Sequence, residues 1–496
     1  MEQSLNFISQ SHSLNLKSYY PNCDFRKLFH PETVAVIGVS KNLVGGIKYV
    51  MALDNSGFIK AGGKVFPINP KYQELFNYKV YPSLDHPDIP ESIDLAIIAV
   101  PAPQVPEVVR SFNKKVKFAV IFTSGFEESG EHQLQKELEK AVNEVDTRII
   151  GPNCLGIMQP YSKLTYYPQF PMPKQGKISY ISMSGGTTAR LAVMLDSEQI
   201  GFNNIVSIGN SIDVQPSELI QYFAEDGNTN SIALYLESIK NGREFFDVAK
   251  KLTKKKPIIL WKGGKGEIGK KATMSHTGGL AGDYKIWQSM AKQAGIMVAD
   301  HFEYFHDLIL CASLEIKPVK SKNVGIIVAG GGIGVEFTDM AESFGLNVPE
   351  LTKETQKKIA EVFQSVNTNF KNPVDLGEYG YVPEYFNKAL KIMTEDPNID
   401  SILFVREPER FDIFSVILKI PDMVKTTIDG IVEVAKQTNK PMFCNLSPNS
   451  LSPKAYKDRH NFKIKMLEIG IPVIDYLPNM IRLVADFADY EKYRNL

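Results

Sequence analysis

Cysteine is scarce in this chain: Cys23, Cys154, Cys311 and Cys444 are the only four, and no two form a CxxC pair. That spacing argues against a zinc site and a disulfide framework and fits a reducing compartment. A charge excess is missing as well. The 56 Lys and Arg are balanced by 56 Asp and Glu, so no global field draws the chain to nucleic acid or to an anionic membrane. No apolar run approaches the roughly 20 residues that span a bilayer. The first 24 residues lack the charged-then-apolar order of a secretory signal, and the first arginine is Arg26. The expectation is a cytoplasmic protein with no nucleic-acid or membrane partner and no metal site. A weak organelle leader over residues 1–24, which carry Ser4, Ser9, Ser11 and Ser13, is the alternative. Small molecules and other proteins remain as partners.

What is present is alternation. Short apolar runs at 34–37, 64–66, 95–100, 118–122 and 148–150 alternate with helical segments, the pattern of βαβ units and a parallel sheet. A second set runs through 178–182, 205–208, 232–236 and 257–262, a helix is expected over 303–314, and a third set begins at 324–329. Residues 158–177 hold Pro160, Pro168, Pro171 and Pro173 and show neither helical nor strand period, which marks an interdomain connection. A chain of 496 residues is too long for one core. The expected units are an N-terminal extension (1–24) and domains at 25–157, 177–316 and 322–490. The last two read as an internal repeat. Residues 223–232, FAEDGNTNSI, match 393–402, MTEDPNIDSI, and the match continues to Glu237 and Glu407; Lys256-Pro257 recurs as Lys440-Pro441.

Residues 275–282 read SHTGGLAG and place one histidine, His276, on a glycine-rich loop. A neutral imidazole nitrogen is a good nucleophile toward phosphorus, and small neighbours let a phosphate approach the backbone. Such a histidine would carry a phosphoryl group; the plainer alternative is an ordinary loop histidine. Glu237, just beyond the run 232–236, could hydrogen-bond one ring nitrogen and fix the tautomer, although most glutamates are simply solvated. Val34-Ala35-Val36-Ile37-Gly38-Val39-Ser40 is a buried-strand pattern with a glycine turn, followed by Gly45-Gly46 at a helix start. Together they make a phosphate-binding arrangement, though not the GxGxxG of a dinucleotide enzyme. Val100-Pro101 and Thr123 fall where the next strands of the same sheet end, and ligands of open parallel sheets lie at such ends. Gly151-Pro152-Asn153-Cys154-Leu155-Gly156 suits an anion-facing loop, and Ser182-Met183-Ser184-Gly185-Gly186 opens a helix whose free amides attract phosphate. The segment 264–271 imitates a P-loop, but Lys271 stands where a hydroxyl residue would bind magnesium.

Taken in order, these segments resemble the α subunit of NDP-forming acyl-CoA synthetases, the family of ADP-forming acetyl-CoA synthetase and succinyl-CoA synthetase. The resemblance runs from about Asp24 onward and also includes FPINPKY at 66–72, SIGNSIDV at 207–214 and LESIK at 236–240. It implies an α/β protein with an N-terminal Rossmann-like CoA-binding domain followed by two flavodoxin-like domains. It further implies the reaction acyl-CoA + ADP + phosphate ⇌ acid + ATP + CoA, through an acyl phosphate and a phosphohistidine at His276 with Glu237 as its partner. CoA would lie on Gly38, Ser40, Lys71, Val100, Pro101 and Thr123, and phosphate on Asn153, Ser184, Gly185 and Gly186. No ATP-grasp domain is recognised before Leu496, so ADP/ATP and Mg2+ are expected on a separate ATP-grasp β subunit, in an αβ or α2β2 assembly. Met183, between two serines, is expected to alter acyl-site contacts, and the charged run Arg406-Glu407-Pro408-Glu409-Arg410 has no expected role. The rival reading is a CoA-binding regulatory or scaffold protein of the same fold that has lost turnover.

Overall fold

The computed structural model describes residues 23–43, 45–165, 172–277, 282–362, 368–446 and 450–496, with the backbone alone for 274–277, 412, 413 and 418. Most of the 1–24 extension and part of the proline-rich connection therefore lie outside the described residues. Three open sheets follow one another. The first holds β1 (Thr33–Ile37), β2 (Lys64–Ile68), β3 (Ile93–Ile98), β4 (Val116–Ile121) and β5 (Arg148–Ile150) in the order β2-β1-β3-β4-β5, all parallel. These are the first five apolar runs. They read as strands because β-branched residues fill positions covered on both faces: every residue of β3 is buried.

The second sheet combines β6 (Gly156–Met158), β7 (Gln175–Ser182), β8 (Phe202–Ser207), β9 (Ser231–Leu236), β10 (Ile258–Lys262) and β11 (Met297–Ala299) in the order β11-β10-β9-β7-β8-β6. Only β6 is antiparallel, pairing Met158 with Ile205. The chain thus enters the second sheet before the proline-rich connection begins. The third sheet holds β12 (Val324–Val328), β13 (Val374–Asp375), β14 (Ser401–Arg406), β15 (Met442–Leu446) and β16 (Val473–Ile474), ordered β13-β12-β14-β15-β16. Apart from β6, each sheet has the doubly wound order 2-1-3-4-5, so each has a crevice between its first and third strands where the winding reverses. The expected α/β class with parallel sheets is what the structure has.

The repeat is visible in atomic detail. β9 and β14 occupy the same place beside their sheets' first strands. Before each, an aspartate accepts the amide two residues on, Asn228 to Asp226 at 3.0 Å and Asn398 to Asp396 at 2.9 Å. A lysine then reaches back to that aspartate's carbonyl, Lys256 to Asp226 and Lys440 to Asp396.

Two shared cores join the three units. One runs from Phe25, Val36 and Val120 through Ile181, Val206 and Leu234, so the first and second sheets pack through a common interior. Phe29 stacks on Tyr222 with ring centroids 5.2 Å apart, a pair that contributes about 0.5–1.5 kcal/mol beyond its buried area. The other core unites the helices Phe302–Ser313 and Leu477–Arg494 with the second and third sheets. A buried polar cluster crosses the same boundary. His306 lies 2.8 Å from Glu198 and 3.1 Å from Asp307, Lys463 lies 2.7 Å from Glu198, and Asn479 donates to Asp307 at 2.7 Å.

Candidate functional site

In the first sheet the winding reverses between β1 and β3. Gly38 follows β1 with φ +94°, and a Cβ there would lie 2.8 Å from Val100 Cγ1 and 2.9 Å from the Ala99 carbonyl oxygen. Gly46 precedes the helix Ile47–Asn55, and a Cβ on it would lie 2.7 Å from the Gly38 carbonyl oxygen. Glycine at both places lets the turn fold tightly over the strand ends. Asn69, beyond β2, donates to the Val39 carbonyl at 2.7 Å, and its Oδ1 takes the Lys71 amide at 2.9 Å. Thr123, beyond β4, donates to the Val100 carbonyl at 2.7 Å. Gly38, Ser40, Lys71, Val100, Pro101 and Thr123 thus meet at the carboxyl ends of neighbouring strands. Exposed Lys41 and Lys71 at the rim and the Ile47 helix start, whose first turn has no acidic residue, suit an anionic ligand.

The second sheet repeats the arrangement. Ser184 caps the helix Gly185–Ser197 by accepting the Thr187 amide at 3.4 Å, while Thr188 donates to the Ser184 carbonyl at 2.7 Å. Gly185 and Gly186 open that helix. A Cβ on Gly185 would touch Leu155 Cγ at 2.8 Å, whereas nothing stands within 4 Å of one on Gly186. Leu155 belongs to the GPNCLG loop, whose Asn153 amide donates to the Thr123 carbonyl at 3.0 Å. This one loop joins the first crevice to the second helix start. Cys154 within it is buried, and burial pushes its thiol up to about 12, so it is a packing residue and no nucleophile.

Glu237 follows β9 directly across the second crevice and is buried. Its amide donates to Met183 Sδ at 3.3 Å. Met183 is itself buried and supports Glu237 from beneath, a role that the acyl-site expectation for it did not include. Two further residues were missed in the sequence. Tyr235 donates its hydroxyl to Glu237 Oε1 at 3.0 Å, and Lys262 donates its ammonium to the Glu237 backbone carbonyl at 2.7 Å. The alternation of β9 and the sequence Lys262-Gly263-Gly264 at the end of β10 were their only signals.

His276 differs from the loop expectation. The helix Glu267–Thr277 includes Ser275, His276 and Thr277 in its last turn. From Lys270 to Thr277 the chain has neither glycine nor proline to stop it, so the helix runs through Thr277. The His276 side chain and residues 278–281 lie outside the described residues. The helix packs against the turn Glu127–Ser129, beside the mouth of the first crevice.

The motif at 207–214 proves to be a clasp between the first two units. The amides of Asn210, Ile212 and Val214 donate to the carbonyls of Pro152, Gly151 and Ile149 at 3.0, 2.9 and 3.2 Å. Asp213 accepts the Ile149 amide at 2.8 Å and Arg148 Nε at 3.0 Å, and Glu218 accepts Arg148 NH2 at 2.9 and 3.0 Å. In the third sheet, Gly330 caps the helix Gly331–Ser343, and Asp375 Oδ1 accepts the amides of Gly330 and Gly377, each at 2.9 Å. The charged run beyond β14 is an internal network. Tyr381 donates to Glu407, Arg410 pairs with Glu407 at 3.1 Å, Arg459 pairs with Glu409 at 2.7 Å, and Arg406 donates to the Gly380 carbonyl at 2.8 Å.

Residues 32–160 match the family model of a CoA binding domain, and residues 175–312 that of a succinyl-CoA ligase like flavodoxin domain. The α subunit of ADP-forming acetate–CoA ligase II from Pyrococcus furiosus is 35% identical over 434 residues, 86% of this chain and 91% of that one. The chain belongs to the ADP-forming acetate–CoA ligase family. An ADP-forming acetate–CoA ligase of Methanocaldococcus jannaschii is 40% identical over 354 residues, 71% of this chain. The chain spans about half the length of these curated relatives, 49% for that protein and 55% for ligase I of Archaeoglobus fulgidus. Among solved structures, acetyl-coenzyme A synthetase 1 of Ca. Korarchaeum cryptofilum, determined with phosphate and ADP, aligns with a TM-score of 0.81 at 29% identity. It covers 95% of this chain and 98% of that one. The first unit of this ligase-family chain is accordingly a CoA-binding domain.

Proposed function

We propose that the chain is the α subunit of an ADP-forming acid–CoA ligase, acting through phosphohistidine at His276. The observation that carries this reading is the GPNCLG bridge, which sets the CoA-binding crevice against the free amides after Ser184: Asn153 bonds to Thr123 on one side and Leu155 meets Gly185 on the other. In the acyl-CoA-consuming direction, a phosphate oxygen attacks the thioester carbon, the C–S bond breaks, and CoA leaves as a thiol with the phosphate's proton. Asn153 and the amides of Gly185 and Gly186 would hold that phosphate, since a helix start and its capping loop offer aligned donors to an anion. The His276 imidazole then attacks the phosphorus of the acyl phosphate, the P–O bond to the acyl oxygen breaks, and the acid departs as carboxylate. Glu237 would orient the imidazole and stabilise its cationic form. Transfer of the phosphoryl group to ADP restores the imidazole. We assign the ADP and Mg2+ site to an ATP-grasp β subunit, in an αβ or α2β2 assembly, a reading supported by the subunit names of the Pyrococcus relatives.

The test is a single turnover by the purified chain with acyl-CoA and phosphate but no nucleotide. One equivalent of free CoA thiol should appear only when phosphate is present, and continuous turnover should need ADP and an ATP-grasp partner. CoA binding without any phosphate-dependent thiol release would favour the regulatory or scaffold reading instead.

A further inference from the structure

The Glu237 carboxylate is held by groups that neither the family likeness nor the motifs assign. Tyr235 sits on the same strand two residues earlier, its ring 4.7 Å from that of Trp261, which in turn packs on Phe302 and Phe305. This packing leaves the phenol little freedom, and its hydroxyl meets Glu237 Oε1 at 3.0 Å. Burial and the nearby Glu237 carboxylate both push the phenol well above its ordinary range, so it stays a donor at every working pH. Gly263 makes the pair possible: a Cβ there would fall 2.8 Å from the Tyr235 oxygen and 3.1 Å from Glu237 Cγ. Lys262 fixes the Glu237 main chain from the neighbouring strand by donating to the carbonyls of Glu237 and Gly263, while its ammonium lies 5.1 Å from the Trp287 ring centre. Burial lowers that ammonium to about 8. Lys265 and Lys270 add positive charge around it.

We infer that Tyr235 is a positioning residue for phosphoryl transfer: it fixes the Glu237 carboxylate through Oε1, with Gly263 providing the room. The inference rests on the proposed phosphohistidine reading. A hydrogen bond to a charged acceptor is strong enough that its loss should slow phosphohistidine formation by about ten- to a hundredfold.

The experiment is rapid-quench measurement of acid-labile phosphate on the protein, as a function of acyl-CoA and labelled phosphate concentration, so that the rate of labelling is separated from affinity. Tyr235→Phe keeps the ring and removes only the hydroxyl; Gly263→Ala disturbs the pair from the other side; Glu237→Gln is the reference. The expected result is slower labelling at saturating acyl-CoA and phosphate in both Tyr235→Phe and Gly263→Ala, with CoA affinity and melting temperature close to wild type for Tyr235→Phe. If Glu237→Gln abolishes labelling while Tyr235→Phe keeps the wild-type rate, the positioning role is wrong and the phosphohistidine reading stands. If Glu237→Gln labels at the wild-type rate, the carboxylate has no part in the reaction and the positioning role falls while the phosphohistidine reading stands; a wild-type chain that takes up no acid-labile phosphate would overturn that reading itself.

Discussion

Arg148→Met probes the clasp that holds the CoA-binding domain against the second unit. Arg148 and Asp213 are buried and Glu218 is mostly so, and the three are joined by bonds of 2.9 to 3.0 Å. Methionine has a similar hydrocarbon stem, so the packing loss is small, but two carboxylates would be left in the interior without their cation. Breaking a buried pair by removing one partner costs about 3–5 kcal/mol. For a unit of roughly 150 residues this is a fall in melting temperature of about 6–20 °C. The deficit should also depend on pH. Burial, against the pull of Arg148, already keeps the Glu218 carboxyl above its usual range, and loss of the guanidinium raises it further. An acid whose folded pKa exceeds its unfolded value binds more protons when folded within that window, so stability falls as pH rises through it. The variant should therefore be closer to wild type at pH ~5 than at pH ~7.5. Adding Glu218→Met should recover part of the loss. Scanning calorimetry at both pH values decides the matter. A melting temperature within a degree of wild type at neutral pH, or a deficit that grows on acidification, would refute the reasoning.

Two further variants test separate links. Gly186→Asp introduces a side chain where nothing stands within 4 Å, and an acid in a helix first turn adds about 0.3–1 kcal/mol of stability. We expect an unchanged or slightly raised melting temperature together with loss of phosphate-dependent CoA release, whereas normal release would remove phosphate from that helix start. His306→Gln addresses the junction of the second and third units. Burial opposes charge on this imidazole, but Asp307 and Glu198 outweigh it and raise it to about 9. Because the folded value exceeds the unfolded one, its stabilisation is complete below pH ~6.5 and disappears as pH rises through about 9. Thermal melts from pH 6 to 10 should show a decline in the wild type that the variant lacks; parallel curves would contradict the assignment.

Much of the architecture was legible because the central strands of doubly wound sheets are buried on both faces and stand out as short β-branched runs. β1, β5 and β9 lie within a residue of their expected limits. β6 and β11 were not legible: each is a three-residue edge strand, too short for a pattern and defined only by the strand beside it. The helix through His276 was obscured by the glycines that follow, although Glu267 to Thr277 contains good helix formers. Glu237 and Glu407 were recognised as repeat partners, and the folded chain supplies the reason, since each immediately follows the strand that borders its sheet's crevice. Contacts that depend on distant segments stayed hidden. The Arg148–Asp213 pair links residues 65 positions apart, and no local pattern in 207–214 announces a clasp.

The central claim is that one imidazole carries the phosphoryl group, and tandem mass spectrometry under alkaline conditions tests it most directly. After incubation with acyl-CoA and phosphate, the wild-type chain should bear a single acid-labile phosphoryl group on the peptide containing His276, and His276→Ala should bear none. A phosphoryl group mapped to any other residue, or one that survives in His276→Ala, would contradict the account.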